Sequence, residues 1–421
     1  MPSLRMAADR RGRGGPATKV SPARLAAVRV LLAVEEGGHA DEALATGAPR
    51  DPADRAMTWN LVLGVLRSRP ELDAVIVAVA RRPLWSLEAA VRNLLRVGIF
   101  ELRYSRVPPH AAVDQAVEGS RRLGVGHAAS FVNAVLRRQE GFAVPDLMGH
   151  PEWLAARWRA RYGSGAELWM RANNQPAPVH IVAKEDPAGV ARDFQHRGLT
   201  LVPVGEGIFR LPPGTGALEQ LPGFEEGRWW VMDPAAVAVA DLVPPGNSPV
   251  LDTCAAPGGK SFRLASRAGG RSVVATDLTE ERLERLRSSA GRLGLPVRAQ
   301  VHDWTSGPLK DEVGQPQQFA AVLVDAPCTG LGLLLRHPDI RWHRKEEDIQ
   351  NLAERQRRIL YHASLCVAPG GSLVYAVCSP EPEEGERVAA MLKWEEEARF
   401  SNAPALDGQD VFWGCRMRRP G

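Results

Sequence analysis

The chain has 421 residues, 44% hydrophobic and 24% charged, with a formal net charge of +4, which predicts two to three domains that each bury a core. Its longest apolar run, residues 74–80, is far shorter than the ~20 residues of a membrane-spanning helix, and the N-terminus lacks the apolar segment of a secretory signal. These features argue against the membrane-spanning and secreted classes, and we expect a cytoplasmic protein.

The N-terminal third of the sequence has a helical pattern. Residues 1–20 are rich in arginine, glycine and proline, and we predict a disordered basic tail there. Apolar residues then recur at spacings of three and four, which predicts an all-α domain over residues 21–145. Ser21 and Pro22 form the start signal of its first helix, an N-cap serine followed by proline at the first helical position.

The pattern is mixed over residues 146–234. A helical stretch with three tryptophans, residues 151–174, precedes short β-type runs separated by polar turns. This mixture predicts a small α+β connector.

Strands and helices alternate over residues 235–421, which predicts a Rossmann-like α/β domain with a parallel, doubly wound sheet. The predicted strands lie at residues 248–253, 272–277, 297–303, 319–327 and 372–379. A helix is predicted at residues 381–394, and Cys415 lies in a further strand-like run.

Four of these strands end in an aspartate: Asp252, Asp277, Asp303 and Asp325. Ligands of such sheets bind at the carboxyl ends of the strands. Asp277 is suited to accept hydrogen bonds from a ribose and Asp303 to meet an adenine amino group, although an aspartate in this position also caps helices. The four acids predict a ribonucleoside cofactor, either a nicotinamide dinucleotide or S-adenosylmethionine.

The loop after the first of these strands, residues 252–260, helps to choose between the two cofactors. Gly258 and Gly259 open a helix and allow a ligand to approach the backbone. The loop contains neither the GxGxxG pattern nor a Walker sequence. Its shortness favours S-adenosylmethionine.

The five cysteines form no CxxC pair and are odd in number, which argues against disulfides and against a zinc site. Cys328 and Cys378 follow neighbouring predicted strands, so we expect both thiols near one cleft, whereas Cys366 and Cys415 are expected to pack in the core. A thiolate that adds to carbon 6 of cytosine activates carbon 5 for methylation, and the base must first leave its stack. Residue chemistry alone does not decide which thiol attacks.

Two further side chains complete this chemistry. Asp325 could bind the cytosine ring nitrogen and amino group, and Lys260 could contact the ring carbonyl. Basic clusters at residues 1–24, 335–345 and 415–419 favour nucleic acid as the partner, the alternative being solvated surface.

Three segments resemble motifs of the RsmB/Sun (Fmu) family of RNA 5-cytosine methyltransferases. LDTCAAPGGK at residues 251–260 resembles the cofactor loop, VDAPCTGLGLLLRHPDIRW at 324–342 the Pro-Cys motif, and LVYAVCSPEPEEGE at 373–386 the Cys-Ser motif. The helical N-terminal domain resembles the NusB-like RNA-binding domain of that family.

The resemblance implies S-adenosylmethionine as cofactor and a cytosine of small-subunit ribosomal RNA as substrate. It implies that Cys378 is the nucleophile and that Cys328 assists product release. The implied cofactor contacts are Cys254, Ala255, Ala256, Pro257, Gly258, Gly259, Lys260, Asp277, Asp303 and Asp325. A monomer without a metal ion is expected.

The sequence departs from the family pattern in places, including Val377 before the nucleophile, where threonine is usual. Residues 180–185 and 232–236 also differ. Methylation of another RNA such as tRNA, and a non-catalytic RNA-binding factor, are therefore alternatives. A nicotinamide-dependent dehydrogenase is a weaker one, because it leaves the two thiols without a role.

Overall fold

The computed structural model describes residues 20–143, 148–267 and 271–421, and the chain divides into two units, Met1–Leu147 and Met148–Gly421. The predicted basic tail at residues 1–20 lies outside the described residues except for Val20. The predicted boundaries at residues 145 and 234 remain predictions.

The first unit is helical throughout its described residues, which confirms the all-α prediction. Ser21 stands at the N-cap of the first helix and is followed by Pro22, as predicted, although its side chain makes no capping hydrogen bond. The helices are α1 (Pro22–Glu35), α2 (Ala40–Gly47), α3 (Pro52–Ala80), α4 (Ala89–Tyr104), α5 (Pro109–Arg122) and α6 (Ala129–Arg138).

A glycine and a buried ion pair join α3 to α4. A Cβ atom on Gly64 of α3 would lie 2.1 Å from the Phe100 ring of α4, so only glycine fits at this crossing. Arg96 of α4 is 1% exposed and donates to Asp73 of α3 at 2.6 Å. It also pairs with Glu35 of α1. These bonds satisfy a charge that would be costly to bury alone.

The second unit begins with the connector, which has its own small sheet. Helices α7 (Glu152–Tyr162) and α8 (Ser164–Ala172) precede this sheet in the chain, and α9 (Pro187–His196) connects its first strand to its second. The strands β1 (His180–Ala183), β2 (Val202–Gly205), β3 (Ile208–Arg210) and β4 (Trp229–Val231) pair antiparallel in the order β2-β3-β1-β4. The predicted α+β composition is therefore correct.

A seven-stranded sheet forms the rest of the second unit, in the order β10-β11-β9-β8-β5-β6-β7. Strands β5 to β9 run parallel, and β10 and β11 are antiparallel additions at one edge. The strands are β5 (Val250–Asp252), β6 (Val273–Asp277), β7 (Val297–Val301), β8 (Phe319–Asp325), β9 (Val367–Val377), β10 (Glu395–Ser401) and β11 (Trp413–Arg418). The helices are α10 (Pro234–Asp241), α11 (Gly259–Ser266), α12 (Glu280–Leu293), α13 (Ile340–His343), α14 (Glu347–Ser364) and α15 (Glu386–Ala389).

The helix predicted at residues 381–394 is largely wrong. Only Glu386–Ala389 is α-helical, and a single 3-10 turn follows at Ala390–Leu392. The Glu381 carboxylate accepts instead from Trp158 Nε1 of α7 at 2.9 Å and from Arg157 of the same helix. These contacts hold the segment after β9 in a turn, because a helix there would withdraw the carboxylate from its donors.

No helix in the described ranges of the chain combines the length and the apolar character that crossing a membrane requires.

We predict that Gly64→Ala lowers the free energy of unfolding by about 1–3 kcal/mol, because the new methyl group must displace the Phe100 ring. Gly291→Ala is the matched control: Gly291 lies in α12, and its added Cβ would meet no atom within 4 Å. That control should match the wild type or gain up to about 1 kcal/mol from helix propensity. Denaturant unfolding followed by circular dichroism measures both, and a Gly64→Ala protein as stable as the wild type would contradict the packing described.

Candidate active site

A cavity lies at the carboxyl ends of the parallel strands. The strand order reverses between β5 and β8, since the chain proceeds from β5 to β6 and β7 on one side and returns to β8 on the other. Ligands of open α/β sheets bind at such a reversal, and the cavity here has a volume of about 370 Å³. Among the predicted site residues it is lined by Cys254, Ala255, Ala256, Pro257, Gly259, Lys260 and Asp325. Gly258, Asp277, Asp303, Cys328 and Cys378 are not in its lining.

The loop between β5 and α11 forms one wall of the cavity. Gly258 has a φ of +116°, and a Cβ atom there would lie 2.3 Å from the Phe262 ring, so this position requires glycine. The amide of Ala255 donates to Thr276 O at 2.9 Å, and that of Ala256 donates to Asp277 Oδ2 at 3.1 Å. The loop is thereby fixed against β6 with its backbone along the cavity.

Asp277 and Asp303 are occupied with contacts inside the protein. Asp277 accepts from the amides of Ala256 and Leu278. Asp303 lies two residues beyond β7 and accepts from the amide and hydroxyl of Thr305 and the hydroxyl of Ser306. These hydrogen bonds, led by that of the Thr305 side chain, lower the pKa of Asp303. The helix-capping role that the sequence left open is absent at Asp303, because residues 304–306 form a turn and not a helix, and cofactor contacts by both acids remain predictions.

Asp252 provides a buried acceptor in the cavity wall. It is 1% exposed, and its Oδ2 accepts from Ser261 Oγ at 2.6 Å. Its Oδ1 is buried without a hydrogen-bond partner among the described residues, and burial raises the pKa of this carboxyl to about 7. An unpaired buried acceptor beside a polar cavity suits a cationic donor, and the ammonium of the methionine part of S-adenosylmethionine is such a group.

A lysine and an aspartate pair across the cavity. Lys260 Nζ lies 2.6 Å from Asp325 Oδ2 and 4.6 Å from the centroid of the Phe412 ring. Burial alone would lower the pKa of Lys260, but the neighbouring Asp325 carboxylate outweighs it and the net shift is upward. The lysine therefore stays a cation, with Cys378 also among the groups that raise its pKa.

The two candidate thiols are in contact, as expected for one cleft. Cys328 Sγ lies 3.1 Å from Cys378 Sγ, well beyond the ~2.05 Å of a disulfide, so both are free thiols that share a hydrogen bond. That bond, together with burial, raises the pKa of Cys328 well above its usual value. Cys366 and Cys415 are fully buried in the core, which confirms their packing role.

Sequence reasoning missed Glu384. Its buried carboxylate accepts from Thr329 and Ser379, which follow the two cysteines in the chain. A run of acidic residues after Cys378 is the available signal, but the sequence predicts a helix over residues 381–394 there.

The basic clusters at residues 335–345 and 415–419 have structural roles. Arg336 donates to Asp233 and Asp410 in the cavity wall, fully buried Arg341 donates to Asn174 Oδ1, and Arg344 donates to Thr329 O. In the second cluster, Arg416 and Arg418 pair with Glu397, and Arg419 donates to Val367 O. These arginines are engaged within the protein, so they do not form the free basic surface that the sequence suggested.

The sequence is similar to known families and proteins. A family model described as 16S rRNA methyltransferase RsmB/F matches residues 239–418, and the NusB family model matches residues 21–140. A protein named ribosomal RNA small subunit methyltransferase B from Vibrio cholerae is 34% identical over 93% of this chain and 94% of its own. One of the same name from Xylella fastidiosa strain Temecula1 is 37% identical over 92% of this chain and 91% of its own.

Two solved structures share the fold. The structure of PH0851 superposes with a TM-score of 0.79 at 20% identity, covering 96% of this chain and 100% of its own. The NSun6 protein from Pyrococcus horikoshii gives a TM-score of 0.55 at 18% identity, covering 64% of this chain and 98% of its own.

We predict that Asp252→Asn changes the pH dependence of stability. The unfolded carboxyl ionises near its ordinary value of 3.8 and the folded one at about 7, so unfolding releases a proton between these values. The wild type therefore loses stability as pH rises through this window, and the asparagine variant lacks that loss. The melting temperature of the variant minus that of the wild type should increase from pH 5 to pH 8. A difference that is the same at both pH values would contradict the raised pKa.

Proposed function

This chain belongs to the RsmB/F family of 16S rRNA methyltransferases, and from this premise we propose how its residues carry out the reaction. It is an S-adenosylmethionine-dependent enzyme that methylates carbon 5 of a cytosine in small-subunit ribosomal RNA. The observation that supports the assignment of residues is the contact of two free thiols, 3.1 Å apart, beside the Lys260–Asp325 pair. A non-catalytic binding protein would have no use for that arrangement.

Cys378 is the nucleophile in this proposal. Its sulfur lies near enough to Lys260 to be among the groups that raise the pKa of that ammonium. Cys328 instead faces the negative charge of Glu384, one of the groups that raise its pKa after the Cys378 hydrogen bond and burial. Cys328 therefore keeps its proton, and we assign the attack to Cys378.

The reaction begins when the Cys378 thiolate forms a bond to carbon 6 of the cytosine. The electron pair of the C5–C6 double bond moves through carbon 4 onto the ring nitrogen, which shares the charge with the ring carbonyl, and carbon 5 becomes a nucleophilic enamine carbon. S-Adenosylmethionine, when bound, supplies the methyl group. Lys260 donates to the ring carbonyl and stabilises the negative charge that develops on addition, and Asp325 accepts from the amino group and orients the ring.

Cys328 serves the release step. Carbon 5 holds a hydrogen and the new methyl group after transfer, and that proton must leave before the sulfur–carbon 6 bond can break. Cys328 passes its own proton to the departing Cys378 sulfur across the 3.1 Å contact and takes up the proton from carbon 5. The C5–C6 double bond is restored, and one proton passes from the product to the enzyme.

The cofactor residues proposed are the cavity loop and the strand-end acids. The backbone from Cys254 to Gly259 lines the cofactor, Asp252 accepts from its ammonium, and Asp277 and Asp303 bind its ribose and adenine. We propose further that the enzyme works in the cytoplasm, where ribosomal RNA is found, and as a monomer. The thiolate route itself calls for no metal ion.

Transfer of labelled methyl groups to unmodified 16S rRNA tests the thiol roles. Cys378→Ala should reduce transfer by roughly 10³-fold or more, because the nucleophile is lost. Cys328→Ala should still attack and should accumulate a covalent protein–RNA adduct, seen as a slow band on a denaturing gel. Cys366→Ala, which removes a packing thiol, is the control and should form no lasting adduct.

The possible outcomes are distinct. No transfer by the wild type to ribosomal RNA would refute the function, and an adduct with Cys378→Ala instead of Cys328→Ala would reverse the two roles.

A further inference from the structure

We propose that Glu384 is a positioning residue that sets the distance between the two thiols by binding the residue that follows each of them. The inference rests on the proposed function, since it concerns the same two cysteines. Glu384 does not line the cavity and touches neither the base nor the cofactor in the proposed route. It acts through Thr329 and Ser379.

One carboxylate holds both loops. Glu384 Oε1 accepts from the amide of Thr329 at 2.8 Å, and its Oε2 accepts from the hydroxyls of Thr329 and Ser379, each at 2.5 Å. Thr329 directly follows Cys328, and Ser379 directly follows Cys378. The two hydroxyl oxygens lie 3.2 Å apart, almost the separation of the two sulfur atoms.

Glu384 is itself held from two further elements, at its carboxylate and at its backbone carbonyl. Gln356 of α14 donates to Glu384 Oε1 and to Pro327 O, each at 3.1 Å. Tyr375 of β9 donates to Glu384 O at 2.6 Å. Water does not compete for these bonds, because the four residues are fully buried: Glu384, Gln356, Tyr375 and Thr329. Cys328 is therefore flanked by anchored residues on both sides.

The number of donors matches the chemistry of a carboxylate. Two donors converge on each oxygen of Glu384, and an ionised carboxylate offers about four acceptor positions and no donor. The bonds to a charged acceptor are also the short and strong ones. No other side chain of this size can accept from all these groups at once, which makes the site specific for glutamate.

Glu384→Gln is the informative variant because it keeps the volume of the side chain. The amide oxygen can still face the Thr329 amide and Gln356, but its NH₂ group must then face the two hydroxyls. These hydroxyls have to turn, and the contacts must lengthen to the ~2.9 Å of neutral hydrogen bonds. Both loops should move by a few tenths of an ångström, which separates the thiols.

We expect kcat of Glu384→Gln to fall about 10-fold to 100-fold, in the range of losses caused by small misplacements of reacting groups. KM for S-adenosylmethionine and for RNA should stay within about two-fold of the wild type, because the cavity lining is unchanged. Glu386→Gln, a partly exposed glutamate two residues along the same segment, is the matched control and should keep the wild-type kcat. A purely structural role would appear as a lower folded fraction or melting temperature with normal kcat per folded molecule.

A second measurement reports the thiol distance without the methylation reaction. Diamide accepts two electrons and two protons from a thiol pair, so Cys328 and Cys378 become a disulfide while the azo reagent becomes a hydrazine. The rate at which this disulfide forms is followed by peptide mass spectrometry. It should fall about 10-fold or more in Glu384→Gln and be unchanged in Glu386→Gln. Ser379→Ala, which removes one of the four donors, should give a smaller decrease in the same direction.

The outcomes separate the two hypotheses. A Glu384→Gln protein with wild-type kcat and wild-type disulfide formation overturns the positioning role. An inactive wild type whose thiols still couple at a rate that depends on Glu384 refutes the proposed function and leaves the positioning role standing.

Discussion

The parallel pairing of β8 with β9 is the constraint on which the site depends. Asp325 at the end of β8 is opposite Ala376 of β9, and the next amide, that of Ala326, donates to Ala376 O at 2.9 Å. This register makes the two strands end together, and it brings Cys328 next to Cys378 although 50 residues separate them. The loops after the strands then need only local contacts to bring the sulfur atoms within 3.1 Å of each other.

Cys328 and Cys378 are the same residue type, and buried charged neighbours make the surroundings of the two thiols different. Lys260 brings a cation toward Cys378, whereas Glu384 brings an anion toward Cys328. Charges act strongly at such short range because little water screens them. These different surroundings support the proposed roles, attack by Cys378 and release by Cys328, which is also the order that the resemblance of the local motifs implies.

The sequence predicted the features that depend on local patterns. Alternation of strands and helices gave the α/β class, and the position of residues after strands gave the cavity loop, the Lys260–Asp325 neighbourhood and the paired thiols. It failed where tertiary hydrogen bonds compete with local preference. The turn after Cys378 has a helical composition, but its carboxylates bind partners from distant elements. Likewise, Arg341 looks like a surface cation in sequence, yet it is fully buried and donates to Asn173 and Asn174, which directly follow α8.

The contact of α7 with the turn after Cys378 limits how this protein can be divided or recombined. Glu381 is 1% exposed, and its donors, Arg157 and Trp158, lie more than two hundred residues earlier in the chain. A fragment that begins at the seven-stranded sheet would retain both thiols and the cofactor loop, but it would bury a carboxylate that has lost these donors. The connector is thus packed into the body that holds the site and cannot serve as an interchangeable linker, so a gene fusion or domain exchange in this protein has to be joined ahead of α7.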